Sequence, residues 1–133
     1  MAENYLQFAE SLRGLTSSEE AWLADRLTNH DVQLYDEELD DEEHSGEFDF
    51  EFFDDSSSGR CLKLFAVEAG DPEAVARLVQ EFLRRFRPQA SFGLSWCASC
   101  SKMRDGEFGG GAVFVTAERI EAWSSDQWLA ERV

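Results

Sequence analysis

The sequence predicts a mixed α+β protein from its size, its apolar content and its two kinds of hydrophobic spacing. The chain has 133 residues, the size of one domain, and 43% of them are hydrophobic, enough to form a core although 30% are charged. In some short segments apolar and polar residues alternate, as in half-buried strands. In others apolar residues recur every three or four positions behind capping residues, as in helices. We therefore expect residues 1–133 to form a single α+β domain.

The N-terminal part predicts a strand followed by a helix. In residues 5–12 the apolar side chains share one parity, which indicates a strand, although a short helix fits this segment almost as well. Residues 17–29 are predicted to be helical because Ser17 and Glu20 have the spacing of a capping box. An apolar stripe follows the cap, formed by Trp22, Leu23 and Leu27.

A β-hairpin is predicted over residues 46–67. Phenylalanines alternate with acidic residues from Phe48 to Phe52, and turn-forming residues at 54–59 lead into a second apolar segment. One register matches apolar with apolar and acid with base; it pairs Phe50 with Leu64, Phe52 with Leu62, Glu51 with Lys63 and Asp54 with Arg60. A slip of one residue loses all four matches.

The second helix has the clearest local signals in the chain. Asp71 is placed to cap it, Pro72 fits its first turn and Pro88 follows its end. Its apolar stripe consists of Val75, Leu78, Val79, Phe82 and Phe86. The elements expected after it are a strand at 92–96, a Gly-rich connector at about 98–111, a strand at 112–116 and a short helix within 125–133.

The predicted element order resembles that of a known fold. Strand, helix, strand, strand, helix, strand is the order of the ferredoxin-like fold, in which an antiparallel sheet carries two helices on one face. The sequence therefore predicts a ferredoxin-like βαββαβ sheet with an added C-terminal strand and short helix. Such a resemblance implies no particular function.

Negative charge is concentrated in one part of the chain. The formal net charge is −16, and residues 31–55 hold 13 acidic residues with no Lys or Arg. Like charges four residues apart disfavour a helix, so an acidic, solvated loop is expected at about 31–46. An acidic surface repels nucleic acid and anionic lipid and attracts basic proteins. We expect a basic protein surface as the partner, with no direct nucleic acid binding and no membrane binding.

The candidate partner-binding surface joins this loop to one face of the following strand. Its residues are Asp36, Glu37, Glu38, Asp40, Asp41, Glu42, Glu43, Glu47, Asp49 and Glu51. An extended 36–43 segment would carry one charge per about 3.8 Å, close to the roughly 3.4 Å of a DNA strand. In size and charge the chain resembles small acidic inhibitors that mimic DNA. The sequence predicts a noncatalytic interaction or regulatory protein; the alternative role for the loop is to aid solubility.

A cysteine pair suggests the alternative function, thiol redox chemistry or metal binding. The run Trp96-Cys97-Ala98-Ser99-Cys100 resembles the Trp-Cys-x-x-Cys motif of the thioredoxin family, in which the first cysteine caps a helix. Here glycines follow instead of a helix-forming run, which favours a strand end with semi-buried thiols. The same pair would need two further zinc ligands, and the available residues are Cys61, His30 and His44.

The Gly-rich connector is the candidate anion site. Its residues of interest are Lys102, Arg104, Gly109 and Gly110, but it lacks the Gly-Lys-Ser/Thr ending of a phosphate loop. The alternative role is a flexible hairpin connector. Both histidines lie in or beside the acidic segment, so no catalytic residue is predicted, an enzyme is not favoured and no cofactor is expected.

The sequence predicts a cytoplasmic protein. Residues 1–20 do not resemble a signal peptide, and no window has the 18 apolar residues of a membrane span. An odd number of cysteines, three, favours reduced thiols. The sequence sets no oligomeric state.

Overall fold

The computed structural model describes residues 4–34 and 48–132, and within them it shows a mixed α+β fold with six strands and three helices. The α+β class predicted from the sequence is confirmed. In chain order the elements are β1 (Asn4–Leu12), α1 (Ser17–Leu34), β2 (Asp49–Asp55), β3 (Gly59–Ala66), α2 (Pro72–Phe86), β4 (Ser91–Cys100), β5 (Gly109–Thr116), β6 (Ile120–Ser124) and α3 (Ser125–Ala130).

The strands form one antiparallel sheet in the order β2-β3-β1-β4-β5-β6. Within the described residues β2 and β6 are therefore its two edges. Six strands exceed the four of a ferredoxin-like sheet, and two strands instead of one follow β4. The structure thus establishes a six-stranded antiparallel α+β fold and not the finer ferredoxin-like class.

The β2–β3 hairpin has the register predicted from residue matching. Phe50 lies opposite Leu64 and Phe52 opposite Leu62, while Glu51 faces Lys63 and Asp54 faces Arg60. Because side chains alternate between the faces of a strand, this register sends the phenylalanine row to the core side and Glu51 to the other.

The core lies between one face of the sheet and helices α1 and α2. The buried helix residues include Leu23, Leu27, Val75, Val79, Phe82 and Leu83, and the strand residues packed with them include Phe8, Leu62, Leu64, Leu94, Val113 and Val115. We call the opposite sheet face, which bears Gln7, Lys63, Ser95, Phe114 and Trp123, the open face. A molecule that bound to this side of the sheet would contact the side chains of the open face.

Helix α1 starts at Ser17 as predicted, but its capping box and its C-terminal end differ from the prediction. The capping box is formed by Thr16 and Glu19, not by Ser17 and Glu20: the Thr16 amide donates to Glu19 Oε1 (2.9 Å) and the Glu19 amide donates to Thr16 Oγ1 (3.1 Å). The helix also continues to Leu34, so residues 31–34 of the predicted acidic loop are helical. The rest of that loop lies outside the described residues.

Buried Glu19 ties the start of α1 to the end of α2. It is 5% exposed, and Arg87 donates to both of its carboxylate oxygens (Nε–Oε2 2.8 Å, NH2–Oε1 3.0 Å). The same guanidinium donates to the carbonyl oxygens of Arg13 and Gly14, both at 3.1 Å. These bonds compensate the burial of the charge.

Helix α2 begins as predicted. The Asp71 side chain accepts from the Glu73 amide (3.0 Å), and Pro72 occupies the first turn. No described helix is long and apolar enough to cross a membrane.

The C-terminal third departs most from the prediction. The connection between β4 and β5 is shorter than the predicted 98–111. Strand β4 runs to Cys100 and β5 starts at Gly109, and Ala98 pairs with Gly109. Gly111 has no room for a side chain, since a Cβ there would overlap the Trp96 ring and the Trp123 carbonyl. The glycines thus belong to a closely packed strand. Strand β6 was not predicted, and the terminal helix spans only 125–130.

Candidate functional site

Two acidic residues at the turn end of the β2–β3 hairpin are engaged in local contacts. Asp55 accepts from Ser58 Oγ (2.8 Å) and from Arg13 (3.0 Å), and the hydrogen bonds from Ser58 and the Ser57 amide lower the pKa of its carboxyl group. Asp54 lies 3.5 Å from Arg60. Arg60 also pairs with Glu20, which is the main cause of the raised pKa of its guanidinium.

Two other acidic residues of the same strand make no such contacts within the described residues. Asp49 and Glu51 are exposed, and within the described part of the chain neither makes an ion pair or a side-chain hydrogen bond. Both point to the open face, two residues apart, on an edge strand. We call this pair the β2 acidic face.

One basic residue moderates the charge of the β2 acidic face. Lys63 lies directly opposite Glu51 on β3, and its ammonium group sits 5.1 Å from the centre of the Phe65 ring. A cross-strand opposite charge attracts the carboxylate and competes with any basic partner. The charge that Glu51 offers is therefore reduced, whereas Asp49 lies opposite Phe65.

The remaining residues of the predicted acidic surface lie outside the described residues. They are Asp36, Glu37, Glu38, Asp40, Asp41, Glu42, Glu43 and Glu47. Asp49 and Glu51 are the two of the ten predicted residues that the structure describes, and it places them together on one face.

The two cysteines of the Cys-x-x-Cys run are not arranged as a reactive pair. Both lie on β4, three residues apart, so their side chains point to opposite faces of the sheet. Cys97 is exposed on the open face and Cys100 is buried on the core face. Three extended residues separate their Cα atoms by about 10 Å, beyond the roughly 7 Å limit for a disulfide. A strand also supplies no helix dipole to activate Cys97.

The described residues contain no assembled zinc site from the predicted ligands. Cys61 is fully buried on β3, His30 belongs to α1, and His44 lies outside the described residues. No group of three or more His, Cys, Asp or Glu side chains within residues 4–34 and 48–132 is arranged to hold a metal ion.

The predicted anion site is divided between a turn and a strand. Lys102 and Arg104 are exposed on the β4–β5 connection, whereas Gly109 and Gly110 belong to β5. The Gly110 amide donates to Ser125 Oγ (3.1 Å), so it is not turned toward an anion. One carboxylate oxygen of Glu107 is buried beside this segment with no hydrogen-bond partner among the described residues. The arrangement lacks the convergent amides of a phosphate cradle.

Sequence reasoning missed an exposed apolar area near the C-terminal edge of the sheet. Phe114 on β5 and Trp123 on β6 are 42% and 51% exposed, and they flank an open depression of about 570 Å³ on the open face. Ile120, Trp128 and Leu129 are also exposed nearby in the chain. The available sequence signal was the alternation of residues along β5. Because Val113 and Val115 face the core, Phe114 must point to the other face of the sheet.

Comparisons with known proteins add no assignment: no family model matches the chain, and no curated protein or solved structure shows significant similarity to it.

Proposed function

We propose that this chain is a noncatalytic interaction or regulatory protein that binds a basic protein surface through the acidic residues of about 31–46, the acidic segment, and the β2 acidic face. One observation carries the proposal: the acids of β2 divide into two groups. Asp54 and Asp55 are held by arginines, whereas Asp49 and Glu51 have no such partner in the described part of the chain. Acids that do not hold the fold together remain available to a cation.

The distribution of charge supports the same surface. With 13 acids and no bases, residues 31–55 project a negative potential toward an approaching basic protein. Such a potential speeds association and weakens as salt screens it, since the Debye length is about 10 Å at 0.1 M. The partner is expected to bind faster and more tightly at low salt.

A charge-matched pair of variants tests the proposal on the full chain with an oligolysine peptide as probe. Asp49→Ser/Glu51→Ser should weaken binding about 2- to 30-fold, because each exposed ion pair contributes about 0.2–1 kcal/mol. The measurement is titration calorimetry at low and high salt. Asp105→Ser/Glu131→Ser changes the net charge equally at exposed sites outside β2 and should have a much smaller effect.

Lys63 provides a test of the opposite sign. Lys63→Gln removes the competitor opposite Glu51 and should tighten binding of the same peptide. Equal affinities for all three variants and the unmodified chain would contradict the assignment of binding to this face.

Mimicry of nucleic acid is a special case of this proposal. Asp49 and Glu51 lie about 6.7 Å apart along an extended strand, about twice the charge spacing of one DNA strand. The strand face alone therefore has half the linear charge density of DNA, and mimicry depends on the acidic segment before it. Competition between this protein and duplex DNA for a basic DNA-binding protein distinguishes mimicry from general acidic recognition.

We further propose that β1 to β4 form a ferredoxin-like unit within a single domain, and that the protein is cytoplasmic. The position of β1 between β3 and β4, with β2 outside β3, supports the ferredoxin-like unit. The three free cysteines support a reducing compartment.

A further inference from the structure

We propose that the outer edge of β6 pairs with β6 of a second copy of this chain, forming a two-fold symmetric dimer with a continuous sheet. This interface is independent of the β2 acidic face, because β2 and β6 are opposite edges of the sheet. The two proposals can therefore fail separately.

The backbone of β6 offers hydrogen-bonding groups on its outer side. The Thr116 amide donates to the Arg119 carbonyl (2.9 Å), which fixes the alternation of the β5–β6 ladder. In an antiparallel pair with this alternation, residues 119, 121 and 123 direct their backbone groups toward β5, and residues 120, 122 and 124 direct theirs outward. All residues from Ile120 to Trp123 are exposed, so no described segment covers this edge.

One register uses the outward groups of Ile120 and Ala122. Pairing Ala122 with Ala122 of the second copy also pairs Ile120 with Ser124 in both directions; the Ser124 carbonyl, which also caps α3, then accepts a second bond. The same register places the two Trp123 residues at diagonal positions on the open face; diagonal positions are about 7–8 Å apart, within reach of aromatic side chains. Among the described residues, five of the eight exposed large hydrophobic side chains lie between Phe114 and Leu129, so apolar surface is concentrated at this end of the molecule.

The charge distribution favours a second copy at this edge in spite of the net charge of −16. Residues 91–124 contain four acids and three bases, a net charge of −1. On β6 itself Glu121 is paired with Arg119 (3.4 Å). The β2 acidic face lies five strand spacings away, about 24 Å, well beyond the Debye length of about 8 Å at physiological salt. An antiparallel edge is also self-complementary about a two-fold axis.

The experiment measures the solution mass of the full chain by light scattering over a wide range of concentration. The monomer has a mass of 15.1 kDa, and we expect twice this value at high concentration. Ala122→Pro should reduce the mass to that of the monomer, because it removes an outward amide and leaves the β5 ladder intact. Circular dichroism checks that this variant folds.

Trp123→Ser gives a second measurement if Ala122→Pro does not fold. It should also weaken the dimer, whereas Phe108→Ser, which removes a similarly exposed aromatic ring from the β4–β5 connection, should leave the dimer unchanged. A monomer at every concentration, an open-ended assembly, or a dimer that survives both β6 variants would overturn the proposal.

Discussion

At the scale of single residues, Glu19 shows how a charged group is built into this core. It caps α1, accepts two bonds from Arg87 and is nearly inaccessible to solvent. The hydrogen bonds from Arg87 are the largest cause of the lowered pKa of its carboxyl group, against the opposing effect of burial. A buried carboxylate held in this way stabilises the fold only while it is ionised.

Replacing Glu19 should therefore make stability less dependent on pH. Glu19→Gln should lower the free energy of unfolding by about 1.5–3 kcal/mol at pH 7, the range for hydrogen bonds to charged groups. The folded-state pKa lies below the ordinary value of 4.5, so this contribution is present above that value and is lost as pH falls through the lowered pKa. Urea unfolding at several pH values measures the difference between the two proteins.

The control for this prediction is Glu51→Gln, which changes an exposed carboxylate without an ion pair in the described residues. Its effect at neutral pH should stay within about 0.5 kcal/mol. If the difference in unfolding free energy between Glu19→Gln and the unmodified protein stayed unchanged down to pH 3, this result would contradict the role of the carboxylate charge.

At the scale of elements, β4 determines the chemistry of two cysteines. A helix after Cys97 would place both thiols at one helix end, whereas the observed strand separates them onto two faces. The strand continues because Gly109, Gly110 and Gly111 pair along it, and Gly111 leaves room for the Trp96 ring. The same five residues thus favour different chemistry in different secondary structures.

The thiols should accordingly differ in reactivity. In the native protein Cys97 should react rapidly with an aromatic disulfide reagent, while buried Cys61 and Cys100 should react only on opening of the fold. Absorbance at completion should correspond to one thiol in buffer and three in urea. Rapid labelling of Cys100, or a Cys97–Cys100 disulfide detected by mass spectrometry after mild oxidation, would contradict the strand geometry; Cys97→Ser is the control for the fast phase.

At the scale of the whole molecule, charge and apolar surface lie at opposite edges of the sheet. The β2 edge carries exposed acids, and the β6 edge carries exposed aromatic and aliphatic side chains. Unpaired edge charges discourage strand pairing, whereas on β6 the carboxylate of Glu121 is paired with Arg119. The two proposed interfaces follow this division.

The excess of acid should also destabilise the folded state through self-repulsion. Raising NaCl to about 1 M, where the Debye length is about 3 Å, should increase the free energy of unfolding by an amount on the order of 1 kcal/mol. Thermal unfolding measures the change, and Asp49→Ser/Glu51→Ser should show a smaller increase. A decrease in stability with salt would indicate that attractive ion pairs dominate.

The sequence alone determined those features whose cause is local. Alternation, residue matching and turn residues predicted the register of the β2–β3 hairpin, and Asp71 with Pro72 predicted the start of α2, because these signals act between neighbours in the chain or across one turn. It likewise located the acids of residues 31–55, of which the structure places Asp49 and Glu51 on one exposed face.

Only the tertiary structure decided the features that depend on distant residues. Arg87, 68 positions away, selects the capping box at Glu19 by supplying the opposite charge. Trp96 makes glycine necessary at position 111, and pairing with β5 creates a strand from the weak signal of residues 120–124. The tertiary structure also distinguishes Asp54 and Asp55, which are bound to arginines, from the exposed pair on β2. Long-range packing and pairing fix these choices because no short segment contains both partners.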